Sequence, residues 1–507
     1  TFQDLRKECN SISITLSIRL PVLLRFCIEY SNDCLHNMVG TAILNYWRKR
    51  GVKGPKPLPF LGNFKDVLLG KDSTMDCFQK AYNEFKHEPM VGVYGGHEPL
   101  LVLRDLDLIK DVLIKDFNKF NYFNSCRDRV TCGTRILQIF RLEAERWRPL
   151  RIKLSPFFSS GKLKEMFHLM TDCANSYEKY LEKLAEKGEP IEFRDTAAKF
   201  TIDVIAACAF SIQTNAITDE NCQFRKMGKR ALDTNLEQFL TDRLREYPFL
   251  FRIFGRLFTD HEVINFFERA IREAMDYRIQ NNVHTKDVID ILADLRQHPE
   301  KINLKADSFF LASQAQLFFL AGFGNSSLTI SNALYELAWN QTVQDKLREE
   351  IQSYSIYLTT VYFLIETLRK YPVIQWLSRT AMESYTFSGT KVTVSKGQQV
   401  FLPVYAIQKD PEIYPNPEVF DPDRFSDENI KTRHAMAHLP FGDGPRHCSG
   451  IRLAKKQLEV GMVTILSKFK VEVCEKTRKV YKPDKKPLFL LQPADGIYLK
   501  MSKVATA

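Results

Sequence analysis

Absences narrow the problem first. The 507-residue chain carries eleven cysteines, at positions 9, 27, 34, 77, 126, 132, 173, 208, 222, 448 and 474, yet no Cys-x-x-Cys pair and no dense framework. An odd, scattered set argues against a disulfide scaffold and for a reducing compartment, where thiols such as Cys208 in TIDVIAACAF are small buried hydrophobes. There is no GxGxxG or Walker loop, no internal repeat and no low-complexity tract. Zinc-finger spacing, basic-region heptads and RNP-like runs are also missing, so nucleic acid is not an expected partner. No long Gly/Ser or charged linker divides the chain after residue 70. It reads as one large domain, 51–507, behind an N-terminal region, 1–50.

The composition is that of a globular protein, 44% hydrophobic and 26% charged. A formal net charge of +11 points either to an anionic partner, such as an acidic protein or a phospholipid surface, or to lysines spread over the exterior. In the first fifty residues ISITLSIRLPVLLRFCIEY is broken by Arg19, Pro21 and Arg25, and MVGTAILNYW is too short to span hydrocarbon. The basic cluster and proline-rich run WRKRGVKGPKPLPFLGN then reads as either a plain linker or the stop and hinge after a degenerate membrane anchor.

Beyond residue 70 the patterning is mainly helical. LDLIKDVLIKDF, GKLKEMFHLMTDCANSYEKYLEKLAEK and the long DSFFLASQAQLFFLAGFGNSSLTISNALYELAWNQTVQDKLREEI repeat apolar residues at three and four, with Asp307 as a cap. The last is apolar nearly all round and is expected to cross the centre of the protein. Strand patterns are short: VGVYGGHEPLLVL, YTFSGTKVTVSKGQQVFLPVY and FLLQPADGIYLKM. The expected fold is therefore mainly α with small β-sheets.

One cysteine stands apart. In FGDGPRHCSG, Cys448 follows Gly442 and Gly444 and precedes Gly450 and a helical pattern, IRLAKKQLEVGMVTILSKF. Glycines let the backbone approach a flat ligand, and a helix N-terminus favours an anionic sulfur. Arg446 supplies a positive group that can pair with a ligand carboxylate. Such a thiolate is a nucleophile, a redox thiol or an iron ligand.

Phe441, Gly444, Arg446, Cys448 and Gly450 resemble the FxxGxRxCxG signature of the cytochrome P450 haem-thiolate enzymes, in which the cysteine ligates haem iron. Glu366 and Arg369 in LIETLRKYPV resemble that family's ExxR pair, a pattern that also occurs here from Glu143, Glu145 and Glu475. Order selects Glu366, because FDPDRF follows and its Arg424 would complete a buried Glu-Arg-Arg cluster holding the cysteine loop. Trp147 and Arg151 resemble the family's WxxxR, and Arg379 lies where a third propionate-binding arginine belongs. The resemblance runs from about Trp47 to the C-terminus and is closest in texture to insect microsomal enzymes of the detoxifying type. It implies haem b between the long central helix and the cysteine loop, with Gly442 among its neighbours. It further implies NADPH delivered through cytochrome P450 reductase, and residence on the cytosolic face of the endoplasmic reticulum membrane.

Two departures accompany the resemblance. Where the family's central helix carries an acid followed by an alcohol, this chain has Gly322, Phe323, Gly324, Asn325 and Ser326. Asn325 can donate a hydrogen bond or hold a water but cannot relay a proton as a hydroxyl does. Ser326 would substitute only if the helix were distorted near Gly324. The connection QSYSIYLTTVYFLI before Glu366 is also shorter than the family's, and reads as a deletion. By analogy the substrate pocket is lined by Phe117, Phe120, Phe123, Phe210, Phe319, Phe323, Ile374 and Phe489, walls that suit a lipophilic molecule. EYPFLFRIFGRLF is either a membrane-dipping segment or an internal helix contact. The expected activity is insertion of one oxygen atom into such a molecule. A same-fold isomerase or dehydratase and a catalytically impaired haem binder from an altered gene stand as alternatives.

Overall fold

The computed structural model describes residues 44–59, 61–123, 139–232, 261–302, 306–353, 359–486 and 490–504. The anchor-like residues 1–43, the segment EYPFLFRIFGRLF and Phe489 lie outside them. Numbering the helices of ten or more residues gives α1 (Thr74–Glu84), α2 (Ala144–Leu154), α3 (Ser160–Lys187), α4 (Phe193–Phe210), α5 (Gln223–Leu232) and α6 (His261–Asn281). They continue with α7 (Val288–Gln297), α8 (Ser308–Trp339), α9 (Gln341–Gln352), α10 (Thr359–Lys370) and α11 (Ile451–Leu466).

Helix α8 is the axis. Asp307 caps it by accepting the Phe310 amide, and the side chains bury on almost every face, against α4, α6, α7, α10 and α11. The single helix expected from Asp307 to Ile351 breaks at Asn340, whose side-chain amide donates to the Glu336 carbonyl at 2.8 Å and closes the last turn. The helix runs unbroken through Gly324, so no distortion brings Ser326 into the position of Asn325.

The small sheet beside the helices contains β1 (Met90–Gly95), β2 (Glu98–Leu103), β3 (Leu377–Thr380) and β4 (Gln399–Leu402) in the order β1-β2-β4-β3. The hairpin β1-β2 and the pair β3-β4 are antiparallel, while β2 and β4 run parallel with Leu101 opposite Val400. The body reaches back to Trp47, which is buried and donates its indole N–H to the Val93 carbonyl at 3.2 Å. Among the described residues no helix is long and apolar enough to cross a membrane.

The connection between α9 and α10 is residues 353–358, of which 354–358 are outside the described set. Both helices form around it, and α10 still delivers Glu366 and Arg369 to the interior.

Candidate functional site

The cysteine loop is shaped by its glycines. Gly442 and Gly444 have φ of 65° and 72°, and a Cβ on Gly444 would stand 1.9 Å from the Leu113 carbonyl oxygen. Leu113 belongs to a π-helical turn, Asp111–Lys115, in a segment whose pattern suggested a longer regular helix. The Cys448 amide donates to the Phe441 carbonyl at 2.9 Å, which closes the loop. Phe441 then packs on Leu328 of α8 and Leu368 of α10. Gly444→Ala is expected to unseat this loop: the left-handed backbone alone costs roughly 1–3 kcal/mol, and the carbonyl contact forbids relief. Comparing haem content of the variant and parent purified side by side checks it.

A buried clasp holds the loop from behind. Arg369 and Glu366 are both fully buried and paired, with Arg369 Nε donating to Glu366 Oε2 at 2.9 Å. Arg369 also donates to the carbonyls of Gln408, Pro417 and Val419, and the Asp421 amide donates to Glu366 at 3.0 Å. Arg424 completes the cluster, its Nε 3.7 Å from Glu366 Oε1. Gln408, not singled out from the sequence, carries the clasp forward. Its Nε2 donates to the carbonyls of Leu368 and Arg369, and its Oε1 accepts the Leu439 amide at 3.1 Å, two residues before Phe441.

Three arginines from separate elements converge beside the cysteine. Arg446 lies over the Trp147 ring, its Cζ 4.4 Å from the centroid, and donates to the carbonyls of Phe140 and Leu142. Arg151, one turn beyond Trp147 on α2, donates to Ser449 Oγ and to the His447 carbonyl. Arg379 is held on β3 opposite Val400, with its Nη1 on the Ser378 carbonyl at 2.8 Å. No carboxylate of the described residues pairs with any of them. Burial lowers the pKa of all three guanidiniums, and for Arg446 the neighbouring Arg379 and Arg151 lower it further. The Nε atoms of Arg379 and Arg446 are buried without an acceptor. A cluster of desolvated cations with spare donors is stable only beside anions. The two propionates of haem have that chemistry, so the residues fit the group. Arg379→Gln is accordingly expected to stabilise the haem-free chain but to weaken haem retention about tenfold or more, from the loss of a charge-assisted hydrogen bond of ~1.5–3 kcal/mol. Thermal melts with and without haem, and haem transfer to apomyoglobin, check both signs.

The thiol itself is not the ready thiolate that the glycines and helix end implied. Burial pushes its pKa up, while the Gly450 amide and Arg151 pull it down. It is accessible despite being surrounded by protein, so it faces interior space rather than the outer surface. An iron ion would supply the charge that favours the ligating anion.

Above the loop, α8 presents one accessible stripe. Among its mostly buried side chains Phe318, Ala321, Gly322 and Asn325 are half-buried or exposed, a spacing of three and four, flanked by half-buried Leu317 and Leu320. Phe158 connects stripe and loop: its ring is 5.7 Å from that of Phe318, and it lies 3.5 Å from where a Gly450 Cβ would be. No described residue hydrogen-bonds the Asn325 carboxamide. Ser326 is buried instead, donating to Gln457 Oε1 at 3.2 Å. Gly322 and Gly324 are packing holes: a Cβ there would meet Ile205 at 2.5 Å and Leu232 at 2.4 Å respectively.

The aromatic residues divide. Phe319 and Phe323 turn away from the stripe into a cluster with Phe210, Phe224 and Phe267, ring centroids 5.3–6.4 Å apart. Phe120 is in the core below the sheet, against Tyr385 and Phe387. Phe117 packs on Trp147 and Phe123 on Phe140, nearer the arginines. Ile374 is half-buried and bridges Leu490. Phe318 and Phe158 were missed because an apolar residue on an apolar helix carries no local sign of the face it occupies.

The cytochrome P450 family model matches residues 52–501. The chain is 36% identical to probable cytochrome P450 6a14 of Drosophila melanogaster, over 91% of this chain and 96% of that protein. It is 37% identical to cytochrome P450 6B1 of Papilio polyxenes, with the same coverage, and 37% identical to cytochrome P450 6A1 of Musca domestica over 85% and 89%. The relatives agree with what the cysteine loop, the Glu366 clasp and the unpaired arginines imply chemically: the chain belongs to the cytochrome P450 family, and is a haem-dependent monooxygenase.

Proposed function

We propose that this enzyme inserts one oxygen atom into a lipophilic small molecule, a xenobiotic or an endogenous lipid or hormone. Electrons come from NADPH through a flavoprotein reductase at the cytosolic face of the endoplasmic reticulum. The observation that carries the substrate class is the accessible stripe of α8. It is apolar except for Asn325, and Phe158 joins it to the cysteine loop. An apolar wall with a single polar group recognises shape and lipophilicity more than charge.

Haem bound by Cys448 and the three arginines would supply oxygen activation, which a thiolate ligand favours by donating electron density. The chain's own contribution is placement. Arg151, Arg379 and Arg446 orient the group's carboxylates, the Glu366 clasp seats the loop, Phe158 and Phe318 exclude water, and Asn325 offers a hydrogen bond on the stripe. Arg148, Lys153, Lys455 and Lys456 are exposed and Arg146 half-buried, on α2 and α11 on either side of the loop. That basic face suits an acidic reductase, and charge reversal at Lys153 and Lys455 together is expected to slow the first electron transfer without altering carbon monoxide binding.

One observation favours a second reading. The space beside Gly324 is filled by Leu232, and the Ser326 hydroxyl is engaged with Gln457, so neither group of a proton relay is present at those positions. An isomerase or dehydratase on the same scaffold needs no relay. Reconstitution with cytochrome P450 reductase in phospholipid vesicles separates the two. Substrate-dependent NADPH consumption supports the monooxygenase. Conversion of a lipid hydroperoxide with no NADPH consumed supports the alternative.

A further inference from the structure

Three buried polar side chains form a cross-link that the cysteine and ExxR motifs do not explain. Ser326 Oγ donates to Gln457 Oε1 and Gln457 Nε2 donates to the Thr201 carbonyl, both at 3.2 Å. The Thr201 hydroxyl donates to the Phe323 carbonyl at 3.1 Å, returning to α8 three residues before Ser326. All three residues are at most 4% exposed. Gln457 occupies the buried stripe of α11 with Leu453, Leu458, Gly461 and Met462, where a carboxamide is costly unless both its ends are satisfied. Here both are, by two different helices.

We propose that Gln457 is a positioning residue that sets the rotation of the central helix over the cysteine loop, so that Asn325 rather than Ser326 faces the site. The proposal rests on the haem-thiolate reading. Successive helical residues are about 100° apart, so clamping Phe323 and Ser326 fixes the direction of Asn325 between them. Apolar packing is non-directional, whereas hydrogen bonds fix an angle. Because α11 begins at Ile451, directly after the loop, the same side chain refers that angle to the position of Cys448.

The test needs neither substrate nor reductase. The holoenzyme is reduced with dithionite, exposed to carbon monoxide, and the C–O stretch recorded by infrared spectroscopy, which senses a polar group beside the bound gas. Asn325→Ala is expected to shift the band. Gln457→Leu and Ser326→Ala, which leave Asn325 in place, are expected to shift it in the same direction by at least half as much. The Gln457→Leu/Ser326→Ala double variant should go no further than Gln457→Leu alone, since both remove one link. A purely structural role lowers the thermal midpoint and leaves the band where it was. That result in Ser326→Ala, which loses only a hydroxyl and tolerates the change better than Gln457→Leu, overturns the proposal, as does an unmoved band in Asn325→Ala. If the parent lacks the long-wavelength Soret band of a thiolate-ligated haem, it is the haem-thiolate reading that fails, and this one with it.

Discussion

Cys448→Ser is expected to abolish the long-wavelength Soret band of the reduced carbon monoxide complex and to bring monooxygenase turnover to background, while leaving the chain folded. The side chain is nearly isosteric, and the loop is closed by the Cys448 amide on the Phe441 carbonyl, a bond the substitution keeps. A serine hydroxyl is a poor iron ligand and cannot donate electron density as a thiolate does. The arginines remain, so haem is still expected to bind, more weakly and with the shorter-wavelength band. The difference spectrum, haem content and circular dichroism of the variant separate loss of ligation from loss of fold. A variant that keeps the long-wavelength band would mean that another residue ligates the iron.

The second large effect is expected at the clasp. Arg369→Leu leaves the Glu366 carboxylate fully buried with the Asp421 amide as a donor and Arg424 as its one remaining cation, at 3.7 Å and without a hydrogen bond from Nε. It also strips the donor from the Gln408, Pro417 and Val419 carbonyls. Breaking a buried pair by removing one partner costs about 3–5 kcal/mol, a large fraction of the ~5–15 kcal/mol that holds a folded chain together. Arg369→Lys is expected to recover little, because an ammonium cannot reproduce the planar fork that serves a carboxylate and three carbonyls at once. Glu366→Leu with Arg369→Leu should be less damaging than either alone, since neither fully buried charge is left behind and Arg424 keeps the Asp421 carboxylate at 3.9 Å. Urea midpoints and the fraction of chains retaining haem measure all four. Equal midpoints for parent and Arg369→Leu would show that the loop is seated by packing alone.

The two effects act on one path. Gln408 links the Arg369 carbonyl to the Leu439 amide, and Tyr414 extends a second arm to the Ala437 carbonyl at 3.2 Å, both just ahead of the cysteine loop. Loss of the clasp is therefore expected to look like partial loss of the cysteine: a mixture of the two Soret bands before any change in helix content. The short connection ahead of α10 does not prevent this arrangement, because Arg369 is reached from the far side by the carbonyls of Gln408, Pro417 and Val419, and Glu366 by the Asp421 amide.

Much of this was legible in the chain. The helical periodicity, the Asp307 cap and the glycines flanking Cys448 are local features. The first two work through bonds between residues close in sequence and the glycines through the backbone turn they permit, so the pattern alone announces them. The FxxGxRxCxG and ExxR patterns are likewise short, and their order identified Glu366 among several matches. What local reasoning missed depends on facing elements. The thiol seemed poised because its helix end was visible, and the burial that raises its pKa was not. Phe319 and Phe323 read as pocket walls, yet the structure turns them into α5 and α6 and puts Phe318 and Asn325 on the open side.

The sequence by itself therefore determined the kind of fold and singled out Cys448 and the arginines proposed to hold a dianionic cofactor, because those follow from residue type and short spacing. Only the tertiary structure decided which stripe of α8 faces the cysteine and that Leu232 fills the space beside Gly324. It alone revealed that Ser326 is spent on Gln457. A helix that is apolar all round has no amphipathic signal to record its rotation, and that rotation is settled by directional contacts with residues more than a hundred positions away.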